Sequence, residues 1–323
     1  MFRHIRGLIV VVSLLAFSAG AFSCASTPQA EAEEPAVKEK PASDEGPTEK
    51  EAEAPSEANP SIEDLSGTLW IQSSAEYRAL ALQIYATAKL RLDQALEKPG
   101  WTASPEQSKS GDYQKKPPAV IVDVDETVLD NSAYQVRLIK KGEAFSSETW
   151  NAWCREESAP AVPGAVAFAN YADEQGVTVF YVTNRDHVVE EATADNLKAV
   201  GFPVATDRDV VLTKNEKENW GSDKTPRRKH VAEEFRILLL VGDNLGDFTG
   251  ETEVSSEQRN QKVEAYADRW GKSWLVLPNP VYGDWESTSF DYDWSLDHRK
   301  QRRRKLDTLD SRESGQTTGD SSE

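Results

Sequence analysis

Cysteine is nearly missing from this chain. Cys24 and Cys154 are the two it has, so at most one intrachain disulfide is available, and none if Cys24 is used for something else. A chain so built must rest on an apolar core, not on cross-links. Histidine is scarce as well. His4, His187, His230 and His298 include no pair at a metal-ligand spacing, which leaves no histidine metal site and no sign of a histidine nucleophile. The apolar stretch that opens the chain, Leu8 to Phe17, is too short to cross a bilayer as a helix. Positive charge is short overall, with 37 basic against 55 acidic side chains and a formal net charge of −18. So acidic a protein repels a phosphate backbone, which argues against duplex nucleic acid as a partner. If it binds a phosphate-sized anion, the site must be locally inverted by a metal, a lysine or backbone N–H groups.

What is present divides the chain into four parts. Arg3, His4 and Arg6 followed by the Leu8–Phe17 run read as a secretion signal over residues 1–24. Ser23-Cys24-Ala25 fits the end of a bacterial lipobox, which makes Cys24 a lipidation site and the protein a lipid-anchored component of the cell envelope. Ala19-Gly20-Ala21 offers an ordinary cleavage site instead, which would leave a periplasmic or secreted protein. Residues 25–58 are mostly Ala, Glu, Pro, Ser and Lys, with ten acidic and three basic side chains and no aromatics. Such a segment cannot bury enough apolar surface to offset its ordering entropy, and reads as a disordered acidic linker. Residues 59–298 have the length of one domain and show no internal repeat. Residues 299–323 begin with the basic run Arg299 to Lys305, which reads as a solvated helix end that frays, and continue with polar residues in a tail expected to end in disorder.

Within residues 59–298, Ser73-Ser-Ala-Glu76 fits a capping box, and Tyr77, Leu80, Ala81, Ile84, Ala88 and Leu92 follow at helical spacing as far as about Leu96. Three buried-strand patterns then end in polar groups. Ala119–Val122 leads into Asp123, Asp125 and Thr127. Val177–Val182 leads into Thr183 and Asn184. Ile237–Val241 leads into Gly242, Asp243 and Asp247. Helical patterns over Ala165–Glu174, Glu190–Val200, Pro226–Phe235 and Glu257–Trp270 alternate with these strands and with shorter ones at Val210–Thr213 and Trp274–Leu277. This α/β alternation predicts a parallel sheet with right-handed crossovers and helices on both faces. The Trp-rich stretch 133–163 and residues 60–115 are expected to pack as a helical cap over the strand ends. Cys154, in a helical pattern with no histidine nearby, reads as a packing residue.

A core alone gives no reason to bring polar groups to one sheet edge three times. Asp123 and Asp125 repel each other there unless a cation lies between them or one holds a proton. That pattern suits a nucleophilic carboxylate beside an acid/base carboxylate, with a divalent metal. In order, Asp-Val-Asp-Glu-Thr, Val-Thr-Asn-Arg and Gly-Asp-Asn-Leu-Gly-Asp resemble the haloacid dehalogenase (HAD) superfamily. Leu69-Trp70 to Tyr77, Val162-Pro-Gly-Ala165 and Leu277-Pro-Asn-Pro-Val-Tyr-Gly283 narrow the resemblance to the bacterial class C acid phosphatases, which include outer-membrane lipoprotein 5′-nucleotidases. It covers roughly residues 59–290.

The resemblance implies a Rossmann-like three-layer sandwich with a small helical cap, and an exported Mg²⁺-dependent phosphomonoesterase of the outer membrane. It implies that Asp123 attacks phosphorus and that Asp125 serves as acid and base. The metal would be held by Asp123, Asp243, the backbone carbonyl of Asp125 and, through water, Asp247. Thr183, Asn184 and Lys224 would hold the phosphoryl oxygens, with Lys214, Lys217 and Arg227 as nearby competitors for the lysine role. Trp150 and Tyr282 would clamp a nucleobase. A phosphotransferase using the same intermediate and a non-catalytic surface-binding lipoprotein are the alternatives, and the intact aspartates count against the latter. Oligomeric state is not legible.

Overall fold

The apolar runs form the sheet that the alternation predicts. In the computed structural model, which describes residues 64–310, five strands lie side by side in the order β3-β2-β1-β4-β5, and every pairing is parallel. They are β1 (Pro118–Val122), β2 (Thr178–Asp186), β3 (Val211–Lys214), β4 (Arg236–Gly242) and β5 (Trp274–Val276). All of β4 is buried, and β1 from Ala119 onward is too. Strands covered on both faces read as unbroken apolar runs for that reason. Arg236, which starts β4, spends its guanidinium on the carbonyls of Lys98 and Pro99, at 3.2 and 3.0 Å.

The helices, in chain order, are α1 (Leu65–Ser73), α2 (Ala75–Leu96), α3 (Gln107–Ser110), α4 (Ser132–Lys141), α5 (Ser147–Cys154), α6 (Ala165–Glu174), α7 (Glu190–Ala199), α8 (Thr225–Glu234), α9 (Ser256–Ala265), α10 (Asp284–Ser287) and α11 (His298–Asp307). From β1 the chain moves outward to β2 and β3, then returns to β4 and moves outward to β5. Right-handed crossovers therefore put α6 and α7 on one face and α8 and α9 on the other. The direction reverses between β1 and β4, and the crevice outside their carboxyl ends is where an open α/β sheet takes its ligand.

Three local features differ from the sequence reading. The helix expected from Ser73 starts one residue later: Ser74, not Ser73, accepts a hydrogen bond from the Tyr77 amide at 3.0 Å. Residues up to Ser73 already belong to α1, so the chain can turn only at Ser74, whose backbone is extended. Within the stretches read as a cap, α2 lies along the sheet, against α6, β4 and β5, while α5 packs on residues 187–189 just past β2. Tyr85, Ala88 and Leu92 give α2 the apolar stripe that holds it there. Finally, the basic run read as a fraying helix end belongs to a helix of its own, α11, capped by Asp297 accepting from the Lys300 amide at 2.9 Å.

Candidate active site

β1 and β4 end side by side, and their ends carry the carboxylates. Asp123 is the first residue past β1, and its amide donates to the Val241 carbonyl of β4 at 2.9 Å. Asp243 follows β4 directly, and Asp247 closes the single turn Leu245–Asp247. That turn is tied by the Asn244 amide donating to Asp247 Oδ2 at 2.8 Å and the Gly246 amide donating to Asn244 Oδ1 at 3.3 Å. Gly242 is required for this packing. A Cβ there would lie 2.5 Å from Cβ and Cγ of Asp247, so any side chain would push that carboxylate away. One ligand oxygen from each of Asp123, Asp243 and Asp247 lies within 4.8 Å of the others.

Burial and crowding make Asp123 and Asp243 poor anions by themselves. Burial, with Asp247 and Asp125 adding to it and Lys224 opposing it, pushes Asp123 up to about 7. Burial together with Asp123 and Asp247 holds Asp243 well above the usual carboxylate range. Three carboxylate oxygens this close together, from two buried side chains and one half-buried one, are the donor set that suits a hard divalent cation. Asn279 Nδ2 orients the outer oxygen of Asp243 at 2.7 Å. Thr127 Oγ1 donates to Asp123 Oδ2 at 3.0 Å and fixes that carboxylate's plane.

Asp125, two residues on, stands outside this cluster. Its Oδ1 meets Nε and Nη2 of Arg185, at 2.9 Å each, and accepts from Asn131 Nδ2 at 2.9 Å. Its Oδ2 accepts from Thr183 Oγ1 at 3.2 Å. Arg185 is fully buried and also donates to Asn131 Oδ1 and Thr193 Oγ1, at 3.2 Å each. Asn131 in turn accepts from Trp153 Nε1 at 2.8 Å. Between Asp125 and Thr127 the chain turns through Glu126 at φ +58°, a conformation that side chains disfavour and that marks a constrained loop. Glu126 is buried, accepts from the Asn131 amide at 2.9 Å and from the Tyr282 hydroxyl, and burial raises its pKa well above the usual carboxylate range.

The lysine that reaches the carboxylates is Lys224. Its ammonium contacts Asp123 and donates to Asp247 Oδ1 at 2.6 Å. Burial opposes its charge, but the two carboxylates outweigh burial and raise its pKa. Lys217 instead sits 4.1 Å from the Trp220 ring and 3.3 Å from His230, and Lys214 ends β3. Arg227 braces the Lys224 loop. Its guanidinium donates to the Thr183 carbonyl, to Asn184 Oδ1 at 2.6 Å and to the Gly221 carbonyl at 2.8 Å. Asn184 gives its Nδ2 to the Ser222 carbonyl at 3.0 Å, so its amide fastens that loop to β2. Above lies a cleft of ≈ 740 Å³ whose walls include Trp150 and Tyr282. Trp150 packs edge-on against Tyr134, centroids 5.0 Å apart.

A family model for "HAD superfamily, subfamily IIIB (Acid phosphatase)" matches residues 33–285. The chain belongs to that family. Acid phosphatases of this kind are phosphomonoesterases, and HAD phosphatases generally use a divalent metal, which the Asp123–Asp243–Asp247 cluster is able to hold. The structure is similar to that of the class C acid phosphatase from Bacillus anthracis, at 34% identity and a TM-score of 0.69, covering 79% of this chain and 99% of that one. A tungstate-bound structure of the same Bacillus anthracis enzyme matches at 35% identity, again with a TM-score of 0.69. Acid phosphatase 1 of Solanum lycopersicum is 28% identical over 166 residues, half of this chain, which spans 57% of the length of that relative.

The family match leaves three site residues that sequence reasoning missed as such: Arg185, Asn131 and Glu126. Arg185 stands in the Val-Thr-Asn-Arg motif and Asn131 four residues past Asp-Val-Asp-Glu-Thr, but an arginine just past a strand looks the same in sequence whether it is buried or faces water. Glu126 reads as a surface acid in a turn. Cys154 is buried, which pushes its thiol up to about 12 and leaves it inert at neutral pH. His187 is exposed and pairs with Glu190 at 2.8 Å, away from the carboxylates. Cys24 and the linker lie outside the described residues.

Proposed function

We propose that this protein is an exported, lipid-anchored acid phosphatase that hydrolyses phosphomonoesters, nucleoside 5′-monophosphates among them, with Mg²⁺ and through an aspartyl-phosphate intermediate. The observation that carries the reading is the split between the two aspartates. Asp123 lies in a buried carboxylate cluster with Lys224, whereas Asp125 is held away from it by Arg185, Asn131 and Thr183. One is placed to bond to phosphorus and the other to handle protons.

In this mechanism an oxygen of Asp123 attacks phosphorus in line with the ester oxygen. The P–O ester bond breaks, and Asp125 gives its proton to the departing alkoxide. Asp125, now a carboxylate, takes a proton from a water, which attacks phosphorus. The acyl–phosphate bond breaks, releasing phosphate and restoring Asp123. Lys224 supplies positive charge to the phosphoryl oxygens, and Thr183 offers its hydroxyl close by. Asp123, Asp243 and Asp247 would hold Mg²⁺, which neutralises phosphate and carboxylate charge so that two anions can meet. Arg185, Asn131 and Thr183 keep Asp125 in one rotamer through both half-reactions.

Trp150 and Tyr282 on the walls of the same cleft support a nucleobase as part of the leaving group. Stacking of this kind is worth roughly 1–3 kcal/mol per base and tolerates any base, so broad use of nucleotides follows. The test is phosphate release by the purified protein from a panel of phosphomonoesters, before and after chelation. Activity that vanishes with chelator and returns with Mg²⁺ supports the reading, and full activity after exhaustive chelation would rule it out. For the anchor, Cys24→Ser should move the protein from the membrane fraction to the soluble envelope fraction. If the unmodified protein is already soluble, cleavage at Ala19-Gly20-Ala21 is the correct reading.

A further inference from the structure

The family match ends at residue 285, yet the cleft does not. Its walls continue into Glu286, Ser287, Trp294, His298, Gln301 and Lys305. The last three fall at positions i, i+3 and i+7 of α11, which places them on one helical face. Gln301 and Lys305 are half-buried on that face, while Arg299, Lys300, Arg302, Arg303 and Arg304 are exposed. α11 buries none of its residues completely, so no core contact explains its position. Polar straps hold it instead. The Lys305 ammonium pairs with Glu286 of α10, and Gln301 Nε2 donates to the Leu296 carbonyl at 2.9 Å.

The link between α10 and α11 is equally specific. Asp291 and Tyr292 both adopt left-handed backbone, at φ +53° and +57°. Two consecutive residues of this kind are costly unless the surroundings hold them. Tyr292 is held, its hydroxyl facing the carbonyls of Thr252 and Val254 at 3.1 and 3.3 Å. The result is that Trp294 stands on the cleft wall with 67% of its surface exposed, supported by the Phe290 ring at a centroid distance of 5.1 Å. A large aromatic left open to water beside an active site is surface available for a ligand.

We propose that residues 286–305 form the outer wall of the substrate cleft and contact the leaving group, with Trp294 and Gln301 as specificity-determining residues. The wall favours phosphomonoesters whose alcohol is about as large as a nucleoside, with a flat face for Trp294 and polar edges for α11. Small alkyl esters end short of it. The proposal rests on the nucleotide reading of the cleft.

The test uses the full chain with Trp294→Ala and with Gln301→Trp, which fills the cleft from α11. Three quantities are compared: kcat/KM on a nucleoside 5′-monophosphate, kcat/KM on ethyl phosphate, and inhibition by the free nucleoside, which has no phosphate and reports the outer cleft directly. Trp294→Ala should weaken nucleoside inhibition about fivefold, the change that ~1 kcal/mol of lost stacking gives. Gln301→Trp should raise KM for the nucleotide several-fold more than for ethyl phosphate. Melting curves matching that of the unmodified protein would exclude misfolding, as the lack of buried residues on α11 predicts. Equal effects on both esters, or unaltered nucleoside inhibition in both variants, would overturn the proposal. If the unmodified enzyme cleaves ethyl phosphate but no nucleotide, the nucleotide reading fails separately. The same variants, tested on the largest ester the enzyme does accept, then decide the wall by the same comparison.

Discussion

Two carboxylates on one short loop have opposite surroundings. Asp123 faces other acids, Asp243 and Asp247, and the Lys224 ammonium supplies the positive charge that relieves the crowding. Asp125 faces donors, with Arg185, Asn131 and Thr183 supplying four contacts to its two oxygens. The difference arises from which neighbour each side chain meets. Asp123 points along the β1–β4 seam, where β4 delivers more carboxylates. Asp125 points towards the end of β2, which delivers a hydroxyl and a guanidinium. Residue type sets the available chemistry, and the strand beside it decides the role.

The strongest way to break this comparison is at Asp123. Asp123→Asn should lower turnover by ~10⁴-fold or more if Asp123 is the nucleophile as proposed, because an amide oxygen does not attack phosphorus in its place. The melting temperature in chelator should not fall, since the substitution removes a charge from a cluster that resists it. Asp125→Asn should lower turnover by ~10²–10⁴-fold, the range for loss of an acid/base group. It should also melt earlier, by about 3 kcal/mol of stability, because it leaves a fully buried guanidinium without its counter-charge. A loss of stability at Asp125 with none at Asp123, from the same substitution two residues apart, would sharpen the contrast, and equal shifts would erase it.

Arg185 tests the donor side alone. Arg185→Lys keeps the charge but loses the two-nitrogen contact with Asp125. If Arg185 acts by positioning that proton donor, the loss of kcat should be larger on an alkyl phosphate than on p-nitrophenyl phosphate, whose leaving group needs little protonation. A uniform loss would assign Arg185 to folding instead.

A smaller effect separates the two sides by pH. Asp123 and Asp243 have folded-state pKa values above their unfolded ones, Asp123 at about 7 against 3.8. The folded protein therefore binds these protons more tightly. Their contribution to the stability of the metal-free protein is greatest at acid pH and declines as pH rises, that of Asp123 from about 4 through about 7. Mg²⁺ needs the ionised carboxylates, so the rise in melting temperature it produces should grow across the same window. A Mg²⁺ increment that shrinks as pH rises would contradict the cluster as its site. The smallest effect expected is on the rings: Trp150→Ala or Tyr282→Ala should raise KM for a nucleotide about fivefold, with a lesser change for an alkyl phosphate. Tyr282 also bonds Glu126, so Tyr282→Phe should retain the stacking and separate the two contributions.

The acid cluster was legible in sequence and the donor set was not. Apolar runs ending in Asp123, Thr183 and Asp243 announce themselves, because strand burial writes a run and a strand end writes a polar break. The parallel sheet followed from the same alternation. The grip on Asp125 depends on Arg185, Asn131 and Trp153 meeting across separations of 54 and 22 residues, and no local pattern encodes such a meeting. Lys224 stood among several basic neighbours, and only the fold shows that Lys217 and Arg227 spend their charge elsewhere. α11 was legible only as a solvated helix end, because a run of arginines and lysines carries no apolar stripe, and polar straps are what fix it.

The division of labour between the two aspartates is tested most directly by trapping the intermediate. Asp125→Asn should form the aspartyl phosphate and hydrolyse it slowly, since the water-activating base is gone. Quenching that variant during turnover and reducing with borohydride converts an acyl-phosphorylated aspartate to homoserine, which peptide mass spectrometry locates. The account predicts homoserine at position 123 and aspartate retained at 243 and 247. Homoserine at any other position, or none at 123 while phosphate is being released, would contradict it.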